Sequence, residues 1–156
     1  MDILRHRIGV LICRQHSLGS YGLVLDAFRM ANQLGAGHQF DLVRISQDGL
    51  PVPHPDGLMS VDAGLSALGE MDAVLIPSLW LNGPQAVAEQ SQLIAALADL
   101  SPDVLVATLC TGAYLLAASG RLDGRRATTH WVLANGSRAR YPRVRVPAAD
   151  NLTHDA

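Results

Sequence analysis

Short apolar runs alternate along this chain with longer segments whose apolar residues recur at helical spacing. The short runs have the length of buried strands, and each longer segment carries one apolar stripe. The pattern predicts strands at residues 8–13, 40–45, 73–76 and 104–109, and helices at 20–34, 85–100, 112–119 and 132–141. Residues 50–62 are rich in Pro and Gly, which predicts a short hairpin or an irregular crossing. We expect a short strand or turn at residues 128–131 and a further strand at residues 144–146. Alternating strands and helices predict one α/β domain whose mainly parallel sheet is covered on both faces.

One cysteine stands where the fourth predicted strand gives way to a helix. Cys110 ends the apolar run, and Gly112 precedes a helix-like stretch that stops at Gly120. A cysteine in this position would occupy a sharp strand-to-helix turn, with the following amides pointing at its sulfur; this is a nucleophile elbow with Cys in place of Ser. Sites in parallel sheets lie at the carboxyl ends of strands. We therefore expect the functional site here, with Ser78 after the third strand beside it.

Catalysis at Cys110 would require a base and donors for a developing oxyanion. Thr111 can form hydrogen bonds but is not a base near neutral pH. His130 is the nearest downstream histidine, and a packing or surface role fits its spacing as well as a site role. His16, just past the first strand, is a second histidine that could reach the site. Trp80 would stand over the same strand ends, where it either lines a pocket for an apolar or planar ligand or packs against the sheet.

Composition and charge narrow the class of protein. The 156 residues are 49% hydrophobic, without a run of transmembrane length or a signal peptide, so we expect a folded cytoplasmic domain. The two cysteines are too few for a disulfide framework and follow no metal-ligand spacing; we expect no metal, and Cys13 as a buried core thiol. The net charge of −2 is uneven, because residues 121–145 carry +6 and residues 1–120 carry −6. The basic segment is either a solvated face or a docking surface for DNA or a neighbouring domain.

Residues 109–131 have the sequence Leu-Cys-Thr-Gly-Ala-Tyr-Leu-Leu-Ala-Ala-Ser-Gly-Arg-Leu-Asp-Gly-Arg-Arg-Ala-Thr-Thr-His-Trp. This stretch resembles the glutamine-amidotransferase-like domain of AraC-type transcription regulators, which belongs to the PfpI superfamily. The likeness extends more weakly over residues 8–146 and includes the helix at 21–32. It implies a flavodoxin-like three-layer sandwich, a homodimer, no cofactor, and DNA binding only through a C-terminal helix-turn-helix domain that is absent from this chain. The family pattern continues through another strand and helix, so we expect residues 1–156 to be one PfpI-type domain that is incomplete at its C-terminus.

The chain departs from that family at two places. Family enzymes carry an acid on the first helix beside the cysteine, and the corresponding position here is Ser20. Asp26 lies on a different helix face, where we expect it to pair with Arg29 or to cap locally. The glycines that often follow the third strand, and commonly help form an oxyanion pocket, are replaced by the sequence Ser-Leu-Trp at residues 78–80.

These features favour a ligand-sensing and dimerisation domain of an AraC-type transcription regulator that binds a small-molecule effector without turnover. The candidate ligand-binding residues are Cys110, Thr111, Gly112, Ser20, Ser78, Trp80 and His130. The alternative is a small cysteine hydrolase or hydratase resembling isocyanide hydratase, which shares the strings Cys-Thr-Gly-Ala and Thr-Thr-His-Trp; Cys110 would then be the catalytic nucleophile. A third class is a redox-sensing or chaperone-like thiol protein, which high peroxide reactivity of Cys110 would distinguish.

Overall fold

A computed structural model of the chain describes residues 3–35, 37–80, 83–147 and 150–155. The strands are β1 (Leu4–Leu11), β2 (His38–Ile45), β3 (Val52–His54), β4 (Gly57–Met59), β5 (Ala73–Ile76) and β6 (Leu105–Thr108). The helices are α1 (Leu18–Leu34), α2 (Gly83–Ala88), α3 (Ser91–Asp99), α4 (Ala113–Ala118) and α5 (Ala134–Arg140). Short 3-10 turns cover Leu65–Glu70, Cys110–Gly112 and Trp131–Leu133. Within the described residues, no helix has the length and apolar character needed to cross a membrane.

Four parallel strands form the central sheet in the order β2-β1-β5-β6, and β3 and β4 form a separate antiparallel hairpin. The chain leaves β1 to form β2 on one side and later returns to form β5 on the other side of β1. The order therefore reverses between β1 and β5, which is where ligands bind in open α/β sheets. The elements that follow these two strands are the ones that position the site.

Side chains alternate between the two faces of the sheet, as the pleat requires. In β1 and the loop after it, Val10 and Ile12 pack with Tyr21 and Val24 of α1 on one face. The intervening Leu11 packs on the other face, in the larger cluster that includes the buried leucines of α3 and α4. The result is three layers, with α1 and the β3–β4 hairpin on one side of the sheet and α2, α3 and α4 on the other. The predicted flavodoxin-like sandwich is thus confirmed.

Helix α1 is delimited by the residues that the sequence places at its ends. The Ser17 side chain caps its N-terminus by accepting a hydrogen bond from the Ser20 amide at 3.4 Å. Gly35 ends the helix in the left-handed conformation (φ 62°), which glycine adopts without steric cost. The expected ion pair between Asp26 and Arg29 is present at 3.7 Å, with both side chains exposed.

Two predicted elements were wrong. The single helix expected at 85–100 is two helices, because Gln90 leaves helical geometry (φ −117°, ψ 35°). A continuous helix would have turned positions 90 and 91 toward the core, and these hold Gln and Ser. The strand expected at 144–146 is only an isolated parallel bridge between Arg126 and Arg145. Pro142 and Pro147 flank this segment and cannot donate to a longer ladder. Residues 128–131 form no strand.

Candidate functional site

The strand-to-helix turn at Cys110 has the geometry of a nucleophile elbow, as predicted. Cys110 follows β6, has φ +51°, and begins the 3-10 turn that continues into α4. It is the one non-glycine residue with positive φ in the described part of the chain, and its side chain is exposed. This conformation costs a non-glycine residue about 1–2 kcal/mol, so the surrounding packing must hold it in place.

Gly112 provides that packing. A Cβ atom at this position would lie 2.6 Å from the Pro77 carbonyl oxygen and 2.7 Å from that of Ile76, both backbone atoms at the end of β5. Only a residue without a side chain permits such an approach. The elbow is therefore pressed directly against the carboxyl end of the neighbouring strand.

A chain of hydroxyl groups joins the elbow to α1. The Ser20 hydroxyl donates to the Ser17 carbonyl at 3.0 Å and accepts from the Ser78 amide at 2.9 Å. The Ser78 hydroxyl lies 3.0 Å from that of Thr111, which is buried, accepts from the Leu79 amide at 2.7 Å and donates to the Leu79 carbonyl. The structure thus links Ser20, through Ser78, to Thr111, which follows Cys110 in the elbow.

The remaining candidates are His130, whose ring has local partners, and Trp80, which is largely exposed. The Thr129 hydroxyl donates to the Cys110 carbonyl at 3.3 Å, which anchors this segment at the elbow. The imidazole of the next residue, His130, accepts from the Val132 amide at 3.3 Å and stacks on Trp131. The indole of Trp80 is 57% exposed. A ligand-binding role for these two residues stays a prediction.

Two buried histidines, His16 after β1 and His54 at the end of β3, lie against each other. The sequence pointed to His16 as a residue near the strand end, but not to this pair. His16 is fully buried, donates through Nδ1 to the Cys13 carbonyl, and has no partner for Nε2 among the described residues. The His54 ring lies 5.0 Å away, and its Nε2 donates to the His16 carbonyl at 3.2 Å. Burial lowers the pKa of His16, the nearby His54 adds to this, and the hydrogen bond to Cys13 opposes it. His16 is therefore a neutral structural residue near pH 7.

A cleft of about 540 Å³ opens at the carboxyl ends of β1 and β2 rather than over Cys110. Its walls include the Arg14 cation and the carboxylates of Asp48 and Glu89. Cys110 follows β6, two strand positions from β1, which corresponds to about 10 Å. No pattern in the sequence indicated this cleft, because its walls come from four separate segments.

Most arginines of the basic segment at 121–145 have a partner within the chain, while their side chains stay largely exposed. Arg126 and Arg143 form ion pairs with Asp150 and Asp123, at 2.8 and 2.7 Å. Four further guanidinium groups donate to backbone carbonyls: Arg121 to Leu100, Arg125 to Asp155, Arg138 to Val146 and Arg145 to Gly124. Of the two interpretations left open by the sequence, a solvated face fits these local partners and the exposed side chains of Arg126 and Arg143. A docking surface stays a prediction.

A parallel α/β sandwich with a cysteine elbow after its edge strand defines a known class of domain. The chain belongs to the DJ-1/PfpI family, which it matches over residues 6–142. An uncharacterised protein from the cpoL 5′ region of Streptomyces lividans is 34% identical over 128 residues, which cover 81% of this chain and 88% of that protein.

Regulators are among the similar proteins. The HTH-type transcriptional regulators GbdR of Pseudomonas aeruginosa and GlxA of Rhizobium meliloti are 29% and 30% identical, and each match covers 88% of this chain. The chain spans only 37% and 43% of their lengths. A crystal structure of an AraC family transcriptional regulator from Pseudomonas putida matches the fold with a TM-score of 0.65 at 22% identity, over 92% of this chain and 77% of that one.

Proposed function

We propose that this chain is the ligand-sensing and dimerisation domain of an AraC-type transcription regulator, and that Cys110 takes part in effector binding without turnover. The similarity to GbdR and GlxA supports the regulator assignment. The chain's partial coverage of both relatives fits a domain that works beside a separate DNA-binding region. As a regulator domain it would act in the cytoplasm.

The observation that carries the non-catalytic part is the chemistry at Ser20. This residue occupies the position on α1 that the hydroxyl chain connects to the elbow, and its hydroxyl is bound on both sides by backbone groups. A serine hydroxyl does not act as a general acid or base near neutral pH, whereas a carboxylate there could. The site can therefore bind a small polar group more readily than it can transfer protons.

The regulator assignment is tested on the gene. We expect the reading frame to continue past residue 156 into a helix-turn-helix region, and we expect the complete protein to lose its effector response, but not its DNA binding, when residues 1–156 are deleted. A stop codon shortly after residue 156, or a deletion that leaves the effector response intact, contradicts the proposal.

A cysteine-dependent hydratase is the second candidate, and the exposed Cys110 at φ +51° favours it. Backbone strain of this kind is often found at nucleophiles. Hydration of simple isocyanides should be measured for the wild type and for Cys110→Ala. We expect no difference between them above the uncatalysed rate. Turnover that disappears in the variant would replace the non-catalytic proposal with the enzymatic one.

The chain by itself should not bind DNA specifically. Most guanidinium groups of its basic segment already have Asp123, Asp150 or a backbone carbonyl as a partner, which a phosphate would have to displace. Any residual binding should weaken steeply as salt rises, because it depends on counterion release. Titration with a promoter fragment and with a scrambled fragment at physiological salt checks this, and a clear sequence preference contradicts it.

A further inference from the structure

Two histidine side chains meet at the amino ends of the first two strands, far from the carboxyl ends where the elbow lies. His6 is on β1 and His38 begins β2. Nε2 of His6 lies 2.8 Å from Nδ1 of His38, and the ring centroids are 5.1 Å apart. The two nitrogens therefore face each other at hydrogen-bond distance, one as donor and the other as acceptor.

Backbone pairing fixes the positions from which the two rings project. β1 and β2 are parallel along their whole length, with Leu4 opposite His38 and His6 opposite Phe40. Because side chains two residues apart share a face of the sheet, both rings lie on the face where Phe40 packs against Phe28 of α1. Phe40 also stacks beside the His6 ring at 5.3 Å. Two rigid strands and an aromatic neighbour thus hold the pair, as a preorganised site requires.

The spacing of the two ring nitrogens matches neighbouring ligand positions around a transition metal. Metal–imidazole bonds are about 2.0–2.1 Å long, so two nitrogens at a right angle around one ion are about 2.8–3.0 Å apart. Tetrahedral geometry would need about 3.3–3.4 Å. The observed 2.8 Å is therefore closest to the tetragonal geometry of Cu²⁺ or Ni²⁺, for which imidazole is a suitable ligand.

We propose that His6 and His38 form a surface site for a divalent transition metal ion, bound through Nε2 of His6 and Nδ1 of His38. The inference is independent of the proposed function. On binding, the rings turn until both lone pairs point at the ion, and the ring that carried the bridging hydrogen takes its other tautomer. No third His, Cys, Asp or Glu joins the pair within the described part of the chain, so water completes the coordination.

The charges beside the pair leave room for a cation. Arg5 and Arg7, the neighbours of His6 in β1, project from the opposite face of the sheet and form ion pairs with Asp41 and Glu70. The expectation that the chain holds no metal came from its two cysteines, which follow no ligand spacing. The histidine pair joins positions 32 residues apart, so no local spacing indicates it.

Calorimetric titration of the untagged chain with Ni²⁺ tests the site, in a Cys110→Ser background that removes the exposed thiol as a competing ligand. A pH of about 7.5 suits the measurement, because only unprotonated imidazole binds a metal. His6→Gln and His38→Gln should each raise the dissociation constant about tenfold or more, since a single imidazole remains. The matched control is His154→Gln, at an exposed histidine of the tail, which should bind Ni²⁺ like the background protein.

Nitrogen-15 NMR of the histidine-labelled background protein gives an atom-specific result that needs no substitution at the pair, and therefore stands if His6→Gln or His38→Gln does not fold. Diamagnetic Zn²⁺ should shift the signals of Nε2 of His6 and Nδ1 of His38 before those of the other histidines. Equal Ni²⁺ affinity in all variants, no binding at all, or a Zn²⁺ shift confined to other histidines overturns the site. None of these outcomes bears on effector binding or DNA regulation.

Discussion

Replacement of Gly112 by alanine tests whether the elbow is held by contact with β5. The backbone of Gly112 is helical (φ −56°), so any residue could adopt its conformation and the effect is purely one of space. The new Cβ would lie 2.6 and 2.7 Å from two backbone carbonyl oxygens, closer than real Cβ atoms approach. Neither oxygen can rotate away, because each belongs to the end of a core strand. The elbow or the strand must therefore move.

Overpacking of this kind costs about 1–3 kcal/mol. For a chain of this size, each kcal/mol lowers the melting temperature by about 2–4 °C, so we expect Gly112→Ala to melt roughly 2–12 °C below the wild type. Gly22→Ala is the matched control, because Gly22 lies inside α1 with no atom within 4 Å of its Cβ position. The higher helix propensity of alanine should raise stability there by up to about 1 kcal/mol.

Differential scanning calorimetry of the three proteins decides the matter. The two Gly→Ala changes should shift the melting temperature in opposite directions. If Gly112→Ala melts within 1–2 °C of the wild type (about the error of the conversion), the close contact with β5 does not hold the elbow. If Gly22→Ala is equally destabilised, the effect of alanine is general and says nothing about Gly112.

Three further results are expected. Iodoacetamide at neutral pH should alkylate one residue per chain, the exposed Cys110. Cys13 should not react, because burial raises its pKa to about 12. Intact mass spectrometry of the folded protein measures the number of adducts, and two adducts contradict the prediction. The pKa of His16 is lower in the folded chain than in the unfolded chain. As the pH falls, the unfolded chain therefore takes up this proton before the folded chain does. The stability that neutral His16 contributes is complete above about pH 6.5 and declines as the pH falls below it. The urea midpoint should therefore drop more between about pH 7.5 and about pH 5.5 in the wild type than in His16→Gln, and equal drops argue against it. Thr111→Val should lower the free energy of unfolding by about 1–3 kcal/mol, because it leaves the Leu79 amide without its acceptor. Chemical denaturation measures this change, and an unchanged free energy of unfolding rules out the hydroxyl chain as a stabilising feature.

Local patterns predicted most of the fold because each core element carries its own periodicity. The strand at 73–76 was predicted with the bounds it has, and the first helix to within two residues, since Ser17 and Gly35 supply clear caps. The helix predicted at 85–100 failed because its two halves each have helical spacing, while the phase between them changes at Gln90. A periodicity averaged over sixteen residues does not detect such a change.

The elbow was predictable for the same reason, whereas the hydrogen bonds that join it to α1 were not. A strand, a cysteine, a glycine and a helix in succession define the turn at Cys110 from neighbouring residues alone. The contacts between Ser20, Ser78 and Thr111 join segments 33 and 58 residues apart. The neutralisation of Arg126 by Asp150 likewise depends on a tail segment whose path no local pattern describes. Long-range polar contacts of this kind leave no periodic pattern in the sequence, so sequence periodicity does not predict them.

The elbow itself is weak support for catalysis, because packing alone accounts for it. Gly112 fits against β5, and that contact fixes the turn that places Cys110 at positive φ, whatever the chemistry above it. The fold would therefore hold an exposed cysteine at positive φ in an enzyme and in a ligand-binding domain alike. The group that separates the two functions is the one at position 20, where an acid would complete a proton-transfer site and a serine completes a hydrogen-bond chain. On this view, function in this chain follows the α1 side chain and not the nucleophile.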